Sequence, residues 1–573
     1  MPLFLAGKRY DVPGVYGAIE VVNLGSVTLP AFNNLLIIGS ARQGLPSTAT
    51  GKKAHEFIYS TASISDAKDR FGVSDITDAL EYAKAGGAGV VHLVNIAAIT
   101  QASATIQDND SVPADTFDVT PKDKYWGAPG NDIKLTIATA SNVITVTITP
   151  PKNHRFLTAD AATTSKEITL ESVDGLYVGK AIKIWDNAAA SVQSTTITAV
   201  DTVNKKVTLA DNPAAAYTTA NYARIFEEDS GNKEVYTFAD TVSISEFINT
   251  INAGNIITLD RSTYTGLVPQ TLSASYIQEI TDATLGTSPV ATETSGGDFD
   301  TFAESAVQYL EEFRNFTKVR IRILNIISKS SAVHAVYNTL ANDLRNNYQM
   351  SVQVVAGVAS GDIALATSEN DHPVNRAKAL NSDDFILAGM GINDIAAYKS
   401  FAPLVAGMMS GNTVKRNLTG DVVSATKVEK FFGVANRESE TAVFVNAGVL
   451  IIGTDPDGFS IVQGVNTWQN HDNIWTEDGA HTYLIQQRQI VDFVFEGYSL
   501  QMKEGVGADN FTPTRASQKG LGILQVYQDE GFITGKKMLK AWREGNAVKT
   551  RPEISPIGTT DFVGFEMVVL IEN

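Results

Sequence analysis

Several short stretches of this 573-residue chain carry residue types that could do chemistry, and each stops short of a working set. Gly175-Leu176-Tyr177-Val178-Gly179-Lys180 hints at a phosphate-cradling loop. Its spacing is one residue short, and Ala181 stands where a Ser or Thr would hold magnesium, so it reads as a turn between strands. Gly286-Thr287-Ser288-Pro289 offers a nucleophile-like serine. A triad also needs a His base and an Asp to orient it, and no His stands in a His-Gly-Thr setting. Asp455-x-Asp457-Gly458 could open a calcium loop, but the bidentate Glu expected several residues on is missing, which leaves a turn. His471, Asp472, Glu477, Asp478 and His481 have metal-ligand chemistry, and read more simply as polar residues of an exposed loop.

The seven His are scattered, and no motif brings nucleophile, base and oxyanion donors together. The expectation is a protein that is not an enzyme, with no catalytic residue, no metal and no cofactor. One charged feature remains. Lys536, Lys537, Lys540 and Arg543 form a basic run in an acidic chain, either a solvated face or a surface for an acidic partner.

The formal net charge of -18 repels phosphate, which argues against direct nucleic acid binding. There are no cysteines, so disulfide frameworks and thiolate metal sites are excluded, in keeping with folding in a reducing cytoplasm. Met1–Tyr10 places Lys8 and Arg9 after a short apolar run, the reverse of a signal peptide, and no stretch reaches the ~18 apolar residues of a membrane span. With 43% hydrophobic and 19% charged residues, the composition is globular and the length suits several domains.

The elements that would position any site change character along the chain. Residues 31–103 alternate strand and helix: Leu35-Leu36-Ile37-Ile38 is a buried-strand run, Ser63 to Ala85 reads as helix, and Val90 to Val94 begins another strand. Residues 104–265 are Thr- and Val-rich with frequent turns, and Ile144-Thr145-Val146-Thr147-Ile148 alternates, as an inserted all-β domain would. Residues 266–425 return to α/β, with helices expected over Phe302–Phe313, Val333–Leu344 and Ala397–Met409. Residues 426–573 form a mixed unit with helices over Gln487–Met502 and Arg515–Tyr527.

Both ends read as strands. Near the start, Val15, Ile19 and Val21 share one face beside Tyr16, either a first strand folded on its own domain or a linking arm of residues 1–30. At the end, Val563, Phe565, Met567, Val569 and Ile571 alternate with residues that are also mostly apolar. Left unpaired, such a strand is an aggregation hazard, so something must pair or cover it.

Six segments, in order, resemble contractile phage tail sheath proteins of the myophage type and the sheaths of related contractile injection systems. They are Asp11-Val12-Pro13-Gly14-Val15-Tyr16; Gly39-Ser40-Ala41-Arg42-Gln43-Gly44; Trp126-Gly127-Ala128-Pro129-Gly130-Asn131-Asp132-Ile133; Leu380-Asn381-Ser382; Ala402-Pro403-Leu404-Val405-Ala406-Gly407-Met408; and Asn446-Ala447-Gly448-Val449-Leu450 followed by Val465-Asn466-Thr467-Trp468. The resemblance implies a subtilisin-like α/β core without protease activity, interrupted by an outer β domain, and a C-terminal inner domain. It implies a virion structural protein, made and assembled in the host cytoplasm, whose hexameric rings stack helically around a tail tube. Contraction would drive the tube through the host envelope during genome ejection and host cell entry. Implied partners are further copies, the tube protein, and baseplate and tail terminator proteins, with no membrane insertion. Val15, Tyr16, Ile19, Val21 and the C-terminal row would link subunits by adding strands to a neighbour's sheet, and Lys536, Lys537, Lys540 and Arg543 would face an acidic tube. The alternatives are a subtilisin-like hydrolase using Ser288, and a carbohydrate-binding surface protein using residues 104–265.

Overall fold

Leu35-Leu36-Ile37-Ile38 has no polar position, so the strand it forms needs cover on both faces. The computed structural model describes strands 3–5 and 8–10 and then residues 34–573, except 100, 108–114, 189–191, 240–241, 262–270, 273–279, 285–295, 349, 395–396, 412–413, 426, 431–439, 456–457, 471–473, 477–478, 503–510, 545–546, 559–562, 565–566 and 571–573. Early in the chain come β1 (Leu35–Gly39), β2 (Tyr59–Thr61), α1 (Ile64–Phe71), α2 (Asp75–Ala85) and β3 (Val91–Asn95). After residue 284 follow α3 (Gly296–Thr317), β4 (Ile323–Ile326), α4 (Ser331–Tyr348), β5 (Gln353–Gly357), β6 (Phe385–Ala388), α5 (Ala402–Gly411) and β7 (Val449–Leu450). These strands build one seven-stranded sheet in the order β7-β6-β5-β4-β1-β3-β2. All its pairs are parallel except β2 with β3. Every residue of β1, β3, β4, β5 and β6 is buried, as helices on both faces require.

The expected helix over Ser63–Ala85 is two helices. Gly72 takes φ 68 and ends α1, and Ser74 starts α2 by accepting the Thr77 N–H. The helix expected from Ala397 begins only at Ala402, because Ala397–Ser400 pairs as a strand with Gly391–Asp394 and Pro403 fits only the first turn. Helices α2 and α5 cross closely: a Cβ on Gly407 would collide with the backbone of Ala83.

Between β3 and α3 lie mostly antiparallel strands. One sheet of six runs in the order 151–156, 224–228, 181–185, 193–201, 206–209, 167–169, and one of four in the order 234–239, 143–149, 134–140, 280–284. This stretch is not purely β. Helix Ile244–Asn252 sits within it, started by Ser243 accepting the Glu246 N–H at 3.1 Å and buried along Ile244, Phe247 and Ile251. The molecule is thus a mixed α/β protein of several sheets and several cores.

The chain closes with α6 (Ile485–Met502), α7 (Pro513–Asp529), β8 (Ile533–Glu544), β9 (Ala547–Pro556), β10 (Val563–Gly564) and β11 (Met567–Leu570).

Candidate interaction surface

The last sheet is built on two helices, α6, buried on nearly all sides, and α7, buried on one. Thr512 caps α7 by accepting the Arg515 N–H at 3.3 Å, with Pro513 at the first helical position. Ile490, Val494 and Tyr498 of α6 and Ile523, Leu524 and Tyr527 of α7 then bury Val548 and Ile554 of β9. Strand β9 is central, with β8 on one side and β10 and β11 on the other, all antiparallel.

This arrangement answers the question of what pairs the C-terminal strand. Val563 lies opposite Ile554, Met567 opposite Thr550 and Val569 opposite Val548, all within the same chain. Val548, Thr550 and Ile554 are the β9 residues buried against the helices, so this register continues the same alternation. Phe565 and Ile571 lie outside the described residues, as do Val15, Tyr16, Ile19 and Val21. On the far side, β8 is a 12-residue edge strand, and among the described residues no strand pairs its outer side.

The basic run falls on that edge strand, and its four cations divide between two faces. Cross-strand partners share a face, and Lys536 and Arg543 lie opposite the buried Ile554 and Val548. Lys536 contacts Gln525 of α7. Lys537 and Lys540 lie on the opposite face. There Lys537 pairs with Glu553 at 2.7 Å, and the Lys540 ammonium stands 4.7 Å from the Trp542 ring centre.

Helix α6 also ties this sheet to the large one, through residues the sequence reading missed. Arg488 binds Asp383 at 2.9 Å and Asp492 at 2.7 Å; Arg345 pairs with Asp383 and Asp384; and Arg320 and Arg322 both pair with Glu496. Arg488, Asp383, Asp384, Asp492, Glu496 and Arg322 are all buried. Burial pulls the Arg322 guanidinium down to about 9 and that of Arg345 to about 10. Asp383 and Asp384 precede β6 and Arg322 precedes β4, so α6 is fastened where those strands begin. The signal was available: Arg488, Asp492 and Glu496 recur every four residues and are the only charged residues of α6, one row that must find partners once buried.

Four of the six segments that carried the sequence resemblance meet in pairs, and Asp11–Tyr16 lies outside the described residues. Gln43 bridges Gly127, and the Gly44 N–H donates to the Trp126 carbonyl at 3.1 Å. Next to this joint, Asp132 binds Arg224 through both oxygens at 2.6 and 2.7 Å, with His154 3.3 Å away and all three buried. Burial pushes the Asp132 carboxyl up and the His154 imidazole down. Thr467 donates to the Ser382 carbonyl at 2.9 Å and accepts its N–H at 3.1 Å, while Gln469 reaches Ala447 and Asn381. Ala402–Met408 lies in α5, and each of these residues is buried between α2 and the large sheet. These residues act as joints between elements.

In open parallel sheets a ligand lies beyond the carboxyl ends of the strands where the order reverses, here between β1 and β4. Two small cavities lie there, one against Ser40, Asp75 and Asp78 and one against Ile327, Lys329 and Pro403. The Tyr398 hydroxyl donates to the Val358 carbonyl at 2.7 Å, Ser400 packs on Gly357, and Lys399 pairs with Asp78. Of the chemical decoys, residues 175–180 form the turn between strands 167–169 and 181–185, with Gly175 and Gly179 at φ 74 and 90. Asp455 and Gly458 close a hairpin. Ser288, Asp457, His471, Asp472, Glu477 and Asp478 lie outside the described residues.

No family model matches the chain, and no curated protein matches it. Solved structures do. The sheath tail protein of Desulfitobacterium hafniense is 12% identical, with a TM-score of 0.50 over 97% of this chain and 100% of that one. The sheath tail protein Lin1278 of Listeria innocua is 12% identical, with a TM-score of 0.54 over 95% of this chain and 96% of that one. At that identity the likeness speaks for architecture, and over nearly its whole length this chain has the fold of sheath tail proteins.

Proposed function

We propose that the chain is the structural subunit of a contractile tail sheath. The observation that carries this reading is the sheath tail fold over nearly the entire chain. In this reading residues 31–103 and 266–425 are the subtilisin-like core, 104–265 the outer insertion, 426–573 the inner domain and 1–30 a linking arm. Copies assemble into stacked six-fold rings around a tail tube, meet baseplate and terminator proteins at the ends, and contract to drive the tube through the host envelope. In this reading the subunit is a structural protein and not an enzyme.

Polymerisation follows from the C-terminal sheet. Among the described residues β10 and β11 pair with β9 alone, and they follow residues 559–562 in sequence. The same register can be filled by the corresponding strand of a neighbour, which satisfies the same backbone groups. The open edge of β8 accepts a further strand, and the N-terminal row Val15, Tyr16, Ile19 and Val21 supplies it. A dozen residues reach roughly 40 Å at ~3.3 Å each, enough to cross to another subunit. A head-to-tail contact that does not close gives a helical lattice. Contraction is then a change between two packings of that lattice, without nucleotide.

Deleting residues 560–573 tests the linking role. The expected product is a folded, assembly-defective chain by circular dichroism and negative-stain microscopy. Tubes of normal length from that variant would exclude it. A fluorophosphonate probe reacting at Ser288 would favour the hydrolase instead.

A further inference from the structure

The C-terminal sheet has a second face, opposite the one its helices cover. Register places Lys537, Lys540, Trp542 and Glu544 of β8 there, beside Glu553, Arg551, Lys549 and Ala547 of β9. Lys537 and Lys540 are exposed, and Trp542, Lys549 and Arg551 half-buried. Lys537 pairs with Glu553, and Lys549 with Glu544 at 2.9 Å. Among the described residues of β8 and β9, four cations against two carboxylates leave this face formally at +2, on a chain whose net charge is -18. A half-buried Trp near an Arg is a combination enriched at the anchors of protein contacts, with the lysines at its rim.

We propose that this face is a contact between copies of the chain, taking an acidic helix face of an adjoining copy. It rests on the reading of the chain as a polymerising subunit: a neighbour's strand on the edge of β8 brings that neighbour's body alongside this sheet. Helix α3 carries the complement. Asp300, Glu304 and Glu311 of α3 recur at spacings of four and seven, which sets them along one side of that helix, with Glu304 exposed and Glu311 half-buried. Lys549, Arg551 and Trp542 thereby gain a role that the run Lys536–Arg543 does not suggest. Lys536 and Arg543, on the helix-side face, are outside this contact.

The test is a charge exchange on the full-length chain. K540E with R551E, E304K with E311K, and all four together are compared by light scattering and sedimentation at low and high salt, with circular dichroism to confirm folding. Each pair alone should raise the critical concentration for assembly by about tenfold or more at low salt, with less effect at high salt. The fourfold variant should return to within about threefold of wild type. Unchanged assembly of either pair, or no recovery in the fourfold variant, overturns the proposal. K233E, at an exposed lysine of the β-rich insertion, serves as a control that should leave assembly unchanged. A wild-type chain that never polymerises overturns both this contact and the sheath reading, whereas a polymerising wild type with indifferent variants overturns only the contact.

Discussion

The hydroxyl of Tyr498 on α6 lies 3.0 Å from Oγ1 of Thr550 on β9, and both residues are fully buried. This bond links the helix fastened to the large sheet with the strand that holds the C-terminal pairing. Burial pushes the Tyr498 phenol up to about 12, so it remains a neutral partner across the ordinary pH range. Two long-range connections thus meet on α6: Tyr498 toward β9, and the row Arg488, Asp492 and Glu496 toward β4 and β6.

Space around that hydroxyl is fully used. A Cβ on Gly520 of α7 would collide with the Tyr498 hydroxyl and press on Met538. Gly520→Ala should destabilise the chain by about 1–3 kcal/mol in urea unfolding. Tyr498→Phe frees that space while costing one buried hydrogen bond, about 1 kcal/mol. The double variant should therefore be more stable than the sum of the two singles predicts, and strict additivity would show that the collision is relieved elsewhere.

Buried and exposed ion pairs should respond differently. Asp492→Ala leaves Arg488 with one fewer counter-charge in the interior and should cost about 3–5 kcal/mol. Lys537→Ala breaks a pair whose lysine side chain is 48% exposed and should cost less than about 1 kcal/mol. Equal shifts in the unfolding midpoint would mean that the interior cluster is hydrated or replaceable.

The joint at Thr467 makes a similar claim for a neutral group. Its hydroxyl both donates to and accepts from the Ser382 backbone, and Thr467 is fully buried. Thr467→Val keeps the shape but strands both backbone groups, at about 1–3 kcal/mol. Thermal unfolding should show the loss, whereas Thr467→Ser should retain most of the stability.

Glu171 gives a pH dependence of known sign. Burial pushes its carboxyl up to about 7, against the Phe156 N–H at 3.0 Å and the charges of Arg42 and Arg155. In the unfolded chain the group releases its proton near 4.5. Between about 4.5 and 7 the folded chain keeps a proton that the unfolded chain has lost. That contribution to stability is complete below the unfolded value and disappears as pH rises through the folded one. Glu171→Gln should therefore gain on wild type in melting temperature between pH 5 and pH 7.5. A difference that stays constant over that window would show that Glu171 is ionised throughout.

The sequence by itself determined the elements and their order. Apolar runs such as Leu35–Ile38 had to be buried strands, clean alternation at Ile144–Ile148 had to be a one-sided strand, and the rows Ile490, Val494, Tyr498 and Leu521, Leu524 had to be helix faces, because burial selects those periods locally. It also exposed the C-terminal row as a strand in need of a partner. Where short-range detail decided, the reading slipped: Gly72 divides one expected helix, Pro403 delays another, and Ser243 starts a helix among strands.

Only the tertiary structure decided who meets whom. Nothing local in Val563, Met567 and Val569 specifies Ile554, Thr550 and Val548 as register partners, since any edge with the right alternation would serve. The basic run divided between two faces because its side chains alternate along β8, and the bulge between Met538 and Lys540 then shifts that alternation by one residue. The charged row of α6 called for partners by its spacing. That those partners are Asp383, Asp384, Arg320, Arg322 and Arg345, more than a hundred residues away, follows from chain topology, which no periodicity encodes.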